Sequence, residues 1–128
     1  MPARYHPALV TLHWLIAVLL FMALAAGMLV LSQTANTDPS KIVALRIHAG
    51  MGVSIGLLML LRLVVRLRTR HPAPATTGIA LADRLAPLAH GALYVVVLLM
   101  VGSGIALAVQ SGLAAALTGD GALPADFN

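Results

Sequence analysis

Three imidazoles lie inside stretches otherwise made for lipid: His13 in LVTLHWLIAVLL, His48 in HAGMGVSIG and His90 in LAHGALYVVVLLM. A titratable, hydrogen-bonding ring is costly in hydrocarbon, so three of them ask for partners or for a function. Interhelical hydrogen bonding, metal ligation and haem ligation are the chemistries open to them. A zinc or non-haem iron site wants several ligands in one coordination sphere, commonly with carboxylates or thiolates. The chain has no cysteine, and no acidic residue falls within the apolar cores. Haem asks only for one imidazole above and one below a large apolar ring, a demand that histidines on separate helices meet. Without cysteine there is no disulfide framework and no covalent c-type attachment, so any haem is held non-covalently.

The elements that must position these rings follow from composition. A chain of 128 residues, 60% hydrophobic and 9% charged, is not an ordinary soluble domain. A helix needs about 20 apolar residues to cross the hydrocarbon, and three stretches qualify: 8–31, 42–67 and 85–109, the third helix beginning at about 82. The expected fold is all-α, a transmembrane helical bundle forming a single membrane domain over 1–128. Pro7 suits the first turn of the first helix, and Asp38 followed by Pro39 marks the start of the second. The run ALAAG resembles a signal-peptide cleavage site, but the apolar run around it is longer than the usual ~7–15-residue core of such a peptide and is expected to span. RTRHPAPATTGIALADR reads as a surface loop with a helical lead-in from about Ala80. The segment 110–128, rich in glycine, is expected to carry no closing element, and no internal repeat is visible.

The net charge of +4 sits at helix ends, where it reports topology rather than a nucleic-acid surface. Arg4, Arg62, Arg66, Arg68, Arg70 and Arg84 share one side, with Lys41 and Arg46 on the other, so the N-terminus is expected to be cytoplasmic. SQTANTDPSK and the residues after Val109, with Asp38, Asp120 and Asp126, then face the opposite side. No nucleophile–base pair or phosphate-cradling loop is present.

Residue counting places the histidines in two layers. His13 lies about 9 Å inward from Pro7, and His90 a similar distance beyond Asp83, in the same leaflet. His48, in a helix running the other way, belongs to the opposite leaflet. Gly52 and Gly56 follow His48 at i+4 and i+8, forming a strip that serves haem clearance or helix packing. Arg62 returns to nearly the same face about 21 Å away, where it pairs with a haem propionate or simply snorkels to the surface. Trp14, Tyr5 and Tyr94 read as interfacial or pocket aromatics, and the methionines as packing. His6 and His71 fall in exposed basic ends and are assigned no site.

The segments RYHPALVTLHWLIAVLLFMALAAG, HAGMGVSIGLLMLLRLVVRL and LAHGALYVVVLLMVGSGIAL, in that order, resemble the bacterial cytochrome b561 family over nearly the whole chain. The resemblance implies a four-helix up-down bundle in the bacterial inner membrane that holds two b-type haems by paired histidines. It implies electron transfer between a periplasmic donor such as superoxide and ubiquinone. By position His13 corresponds to an axial ligand of the cytoplasmic-side haem and His48 to one of the periplasmic-side haem, while His90 is a ligand or lines the quinone pocket. The family's fourth helix, with two further histidines, has no counterpart in these residues. A fragment, a helix supplied by a partner, or a shortened one-haem protein pairing His13 with His90 are the readings this leaves. A haem-free structural or assembly protein, or a cytochrome subunit served by a dehydrogenase or hydrogenase, are the alternatives in function, and a homodimer or redox partner stays open.

Overall fold

The computed structural model describes residues 4–74, 76–119, 122–125 and 127. Asp120 and Asp126 lie outside them. The first helix, α1, spans Pro7–Ala26. Pro7 occupies the first position, where a missing N–H is not felt, and His6 Nδ1 accepts from the Ala8 amide at 3.2 Å. The helix runs on without a break into a π turn, Gly27–Leu31, in which the Ser32 amide reaches back to the Gly27 carbonyl at 3.0 Å.

Helix α2 spans Ser40–Arg68. Its start is fastened by Asp38, whose carboxylate accepts the Ser40 amide at 2.8 Å. That amide, aided by the Ser40 hydroxyl, holds the Asp38 carboxyl below the usual carboxylate range. Helix α3 spans Ala80–Gln110 and contains Pro87. The Thr77 amide and hydroxyl both donate to Asp83 at 2.8 Å, folding the loop onto the first turn of α3.

The C-terminal segment departs from expectation. It holds a short helix, α4, at Leu113–Thr118, entered through Gly112 at φ 71°, a left-handed conformation that favours glycine. Leu113 and Ala116 bury against Ile42 of α2. Arg46 donates to the carbonyls of Ala116 at 3.1 Å and Gly119 at 2.8 Å, satisfying the orphan acceptors where α4 ends. LAAALT is too short to show helical periodicity, and its stability comes from these tertiary contacts.

Helix α2 is the spine. It packs against both α1 and α3, whose backbones do not approach each other closely among the described residues. The seam is built from Leu12, Ile16 and Ala23 of α1, Ile55 and Met59 of α2, and Val97 of α3. Outward, large side chains such as Phe21, Leu57 and Leu99 stay exposed. That much bare apolar surface suits lipid rather than water. The three long helices are each long and apolar enough to cross a membrane, and the expectation of an all-α transmembrane bundle is borne out.

Candidate functional site

His48 is half-buried on α2, and its Nδ1 is buried without a hydrogen-bond partner. A Cβ built on Gly27 would lie 3.5 Å from His48 Cε1, so the ring is level with the start of the π turn. Gly27 follows His13 by fourteen residues of one continuous helical run, which sets the two histidines about 21 Å apart in depth. This agrees with the two layers expected from residue counting along helices of opposite direction.

His90 is exposed on α3, and its Nδ1 lies 2.8 Å from the Ala86 carbonyl. A carbonyl oxygen only accepts, so Nδ1 is the donor in this bond, and in the neutral ring Nε2 is then the acceptor. Histidines that bind metals are oriented in this way. His13 is exposed on α1, its ring edge-on to Trp14 at 5.5 Å between centroids.

Arg62 links the helices that carry these two rings. Its Nε donates to the Tyr94 hydroxyl at 2.9 Å, and its Nη1 donates to the Leu9 carbonyl. Leu9 is one helical turn from His13 and Tyr94 is one turn from His90. Although the backbones of α1 and α3 do not approach closely among the described residues, Arg62 ties them at a set relative height. The sequence left Arg62 between pairing with a propionate and snorkelling; in the structure two of its three nitrogens are engaged inside the bundle.

The two glycines after His48 part ways. A Cβ on Gly56 would meet Val101 Cγ1 at 2.9 Å, which makes Gly56 a point of close approach between α2 and α3. Gly52, one turn from His48, has open space beside it. Of the strip's two glycines, Gly56 is packed against Val101 and Gly52 is open.

Several contributors were not singled out from sequence. Lys41 is buried, and its ammonium donates to the carbonyls of Leu31 and Thr34, the latter at 2.7 Å. A lysine next to a proline turn looks like a surface charge, and backbone acceptors have no sequence signature. Gly27, hidden in a row of small residues, gave no signal either. At the opposite end His71 is not the exposed residue expected. It is half-buried, edge-on to Tyr5 at 6.2 Å, with Nε2 buried and unpartnered. Tyr5 also lines a shallow cleft of about 650 Å³ with Arg4, Thr11 and Pro72.

Among the described residues no three of His, Cys, Asp and Glu converge on one point. A b-type haem fits what is present: an orphaned buried nitrogen on His48, open space beside Gly52, and a tautomer on His90 that keeps Nε2 available. No curated protein and no solved structure gives a match to the chain. The family model for prokaryotic cytochrome b561 matches residues 4–126. The chain therefore belongs to the prokaryotic cytochrome b561 family and is a multi-pass membrane b-type cytochrome of electron transfer.

Proposed function

We propose that the protein carries electrons across the bacterial inner membrane between a small reductant outside, superoxide being the leading one, and ubiquinone. Two haems are held at two depths, His48 ligating the one near the Lys41 end and His13 the one near the arginine-rich end. The single observation supporting this is the separation of about 21 Å along α1 between His13 and Gly27, the residue level with the His48 ring. Bound b-type haem supplies a one-electron iron couple. The chain's own residues do the rest. Gly52 leaves room beside His48, Arg62 holds α1 and α3 at a fixed height, and the lipid-facing apolar shell keeps water away.

His90 has two roles open to it, and its tautomer narrows both. With the proton on Nδ1, Nε2 accepts, which suits iron or the hydroxyl of a quinol. The concentration of arginines at the end of α2 and the start of α3 supports a cytoplasmic reading of that side and a periplasmic reading of the Lys41 side.

The test is haem content by pyridine haemochrome, with reduced-minus-oxidised spectra, in His48→Ala and His13→Ala proteins. Each substitution is expected to remove one haem and leave the other. Unchanged haem content in His48→Ala removes His48 as a ligand. Loss of quinone reduction with full haem content in His90→Ala places His90 in the quinone pocket instead of on iron.

A further inference from the structure

The cleft that Tyr5 lines serves none of the roles given to the histidines. It encloses about 650 Å³ between two walls, a size that suits a small molecule or a headgroup. One wall is the chain from Arg4 to Thr11, and the other is Pro72 and Ala73 in the connection after α2. The edge contact of Tyr5 with His71, the residue before Pro72, joins them. Pro7 opens the first membrane-spanning helix, so the cleft lies where hydrocarbon gives way to the headgroup layer.

The lining is divided in chemistry. Arg4, Tyr5 and Thr11 supply one cation and two hydroxyls, and the rest of the surface is apolar. The hydroxyls of Ser54 and Ser103 turn back on their own helices, to the carbonyls of Gly50 at 2.8 Å and Met100 at 2.9 Å. Thr11 makes no such bond among the described residues, and its side chain is exposed along the cleft. Arg4 has no acid nearby in the chain, since the sequence holds none before Asp38 at the far end of the bundle. Six arginines gather at this end against one acid, Asp83, whose carboxylate already accepts from the Thr77 amide and hydroxyl.

We propose that this cleft binds the headgroup of an anionic phospholipid. Arg4 pairs with the phosphate and the hydroxyls of Tyr5 and Thr11 donate to its oxygens, while Pro7, Val10, Pro72 and Ala73 border the glycerol and the upper acyl chain. A zwitterionic headgroup carries the same phosphate but brings an ammonium, and the cleft has no acid to receive it.

The test titrates phosphatidylglycerol and phosphatidylcholine onto the haem-loaded protein in detergent micelles and counts bound lipid by native mass spectrometry, with inorganic phosphate as competitor. Wild type is expected to retain phosphatidylglycerol in preference to phosphatidylcholine. Arg4→Gln weakens that binding about tenfold, and Thr11→Val, which keeps shape and charge, weakens it less. Arg68→Gln removes an exposed arginine of the same end outside the cleft and leaves binding unchanged. Equal weakening in Arg4→Gln and Arg68→Gln, with none in Thr11→Val, shows that the charge of this end recruits lipid without the cleft and overturns the proposal. Equal retention of the two lipids overturns it as well. Displacement of phosphatidylglycerol by inorganic phosphate assigns the cleft to a free anion and overturns the lipid as its occupant.

Discussion

Both ends of the bundle set a cation of α2 against backbone carbonyls, yet the two arrangements do different things. At the arginine-rich end Arg62 reaches both Leu9 of α1 and Tyr94 of α3, and joins helices whose backbones do not approach closely among the described residues. At the other end Lys41 and Arg46 turn to carbonyls where a helix has just ended, those of Leu31 and Thr34 and those of Ala116 and Gly119. These are the orphan acceptors of helix termini, where positive charge is favoured. The difference teaches that one end is braced between helices, and the other is closed around its connections. His48, which lies toward the second end, is left with an unpaired nitrogen in that closed region.

The largest expected effect comes from removing the brace. Arg62→Met deletes two hydrogen bonds from a charged donor, at about 1.5–3 kcal/mol each, so a loss of about 3 kcal/mol or more is expected in unfolding by SDS in mixed micelles. Arg62→Lys recovers less than half of it, because an ammonium lacks the guanidinium fork. Stability equal to the wild type in Arg62→Met would dissolve the distinction between the two ends.

Lys41→Met is expected to cost about 2 kcal/mol, but its signature is location. Amide exchange rises around Leu31 and Thr34, while the amides near Leu9 and Tyr94 keep their protection. A third measurement divides the glycine strip. Gly56→Ala overpacks against Val101 and costs about 1–3 kcal/mol, recovered when Val101→Ala is added. Gly52→Ala meets nothing and gains up to about 1 kcal/mol of helix stability in the haem-free chain. A fall in haem content in that same variant shows that the open space is used.

The smallest effect is at Asp38. Its carboxyl is held below the usual range by the Ser40 amide, so its contribution is complete above the unfolded value of about 4 and is lost as pH falls through the lower folded value. Asp38→Ala is therefore expected to melt slightly below the wild type at neutral pH, and the gap closes below about pH 4. A gap that persists under acid assigns the effect to something other than the carboxylate.

Hydropathy made the three spans legible, and the starts at Pro7 and Asp38 were readable from capping chemistry. The separate depths of His13 and His48 followed from counting along helices of opposite direction. What the sequence hid depends on the backbone. The Arg62 brace needs the Leu9 carbonyl, buried Lys41 needs those of Leu31 and Thr34, and the π turn is a change in hydrogen-bond register with no residue type of its own. Helix α4 escaped because its six residues are stabilised by Ile42 and Arg46, distant in the chain. The glycine strip was visible, but which glycine faces Val101 and which faces open space was a matter of helix rotation.

Lys41 also bears on the order in which the molecule is made. Its acceptors, Leu31 and Thr34, lie within ten residues of it, so the connection between α1 and α2 can lock once the first turn of α2 has formed. The bond from Arg62 to Tyr94 must wait for synthesis of a third helix, thirty-two residues further on. Because folding during synthesis proceeds from the N-terminus, α1 and α2 can leave the ribosome as a hairpin already in register, and α3 then docks onto a finished surface. Nascent chains stalled just after Arg68 exits would show this as a hairpin that forms with Lys41 and fails to form in Lys41→Met.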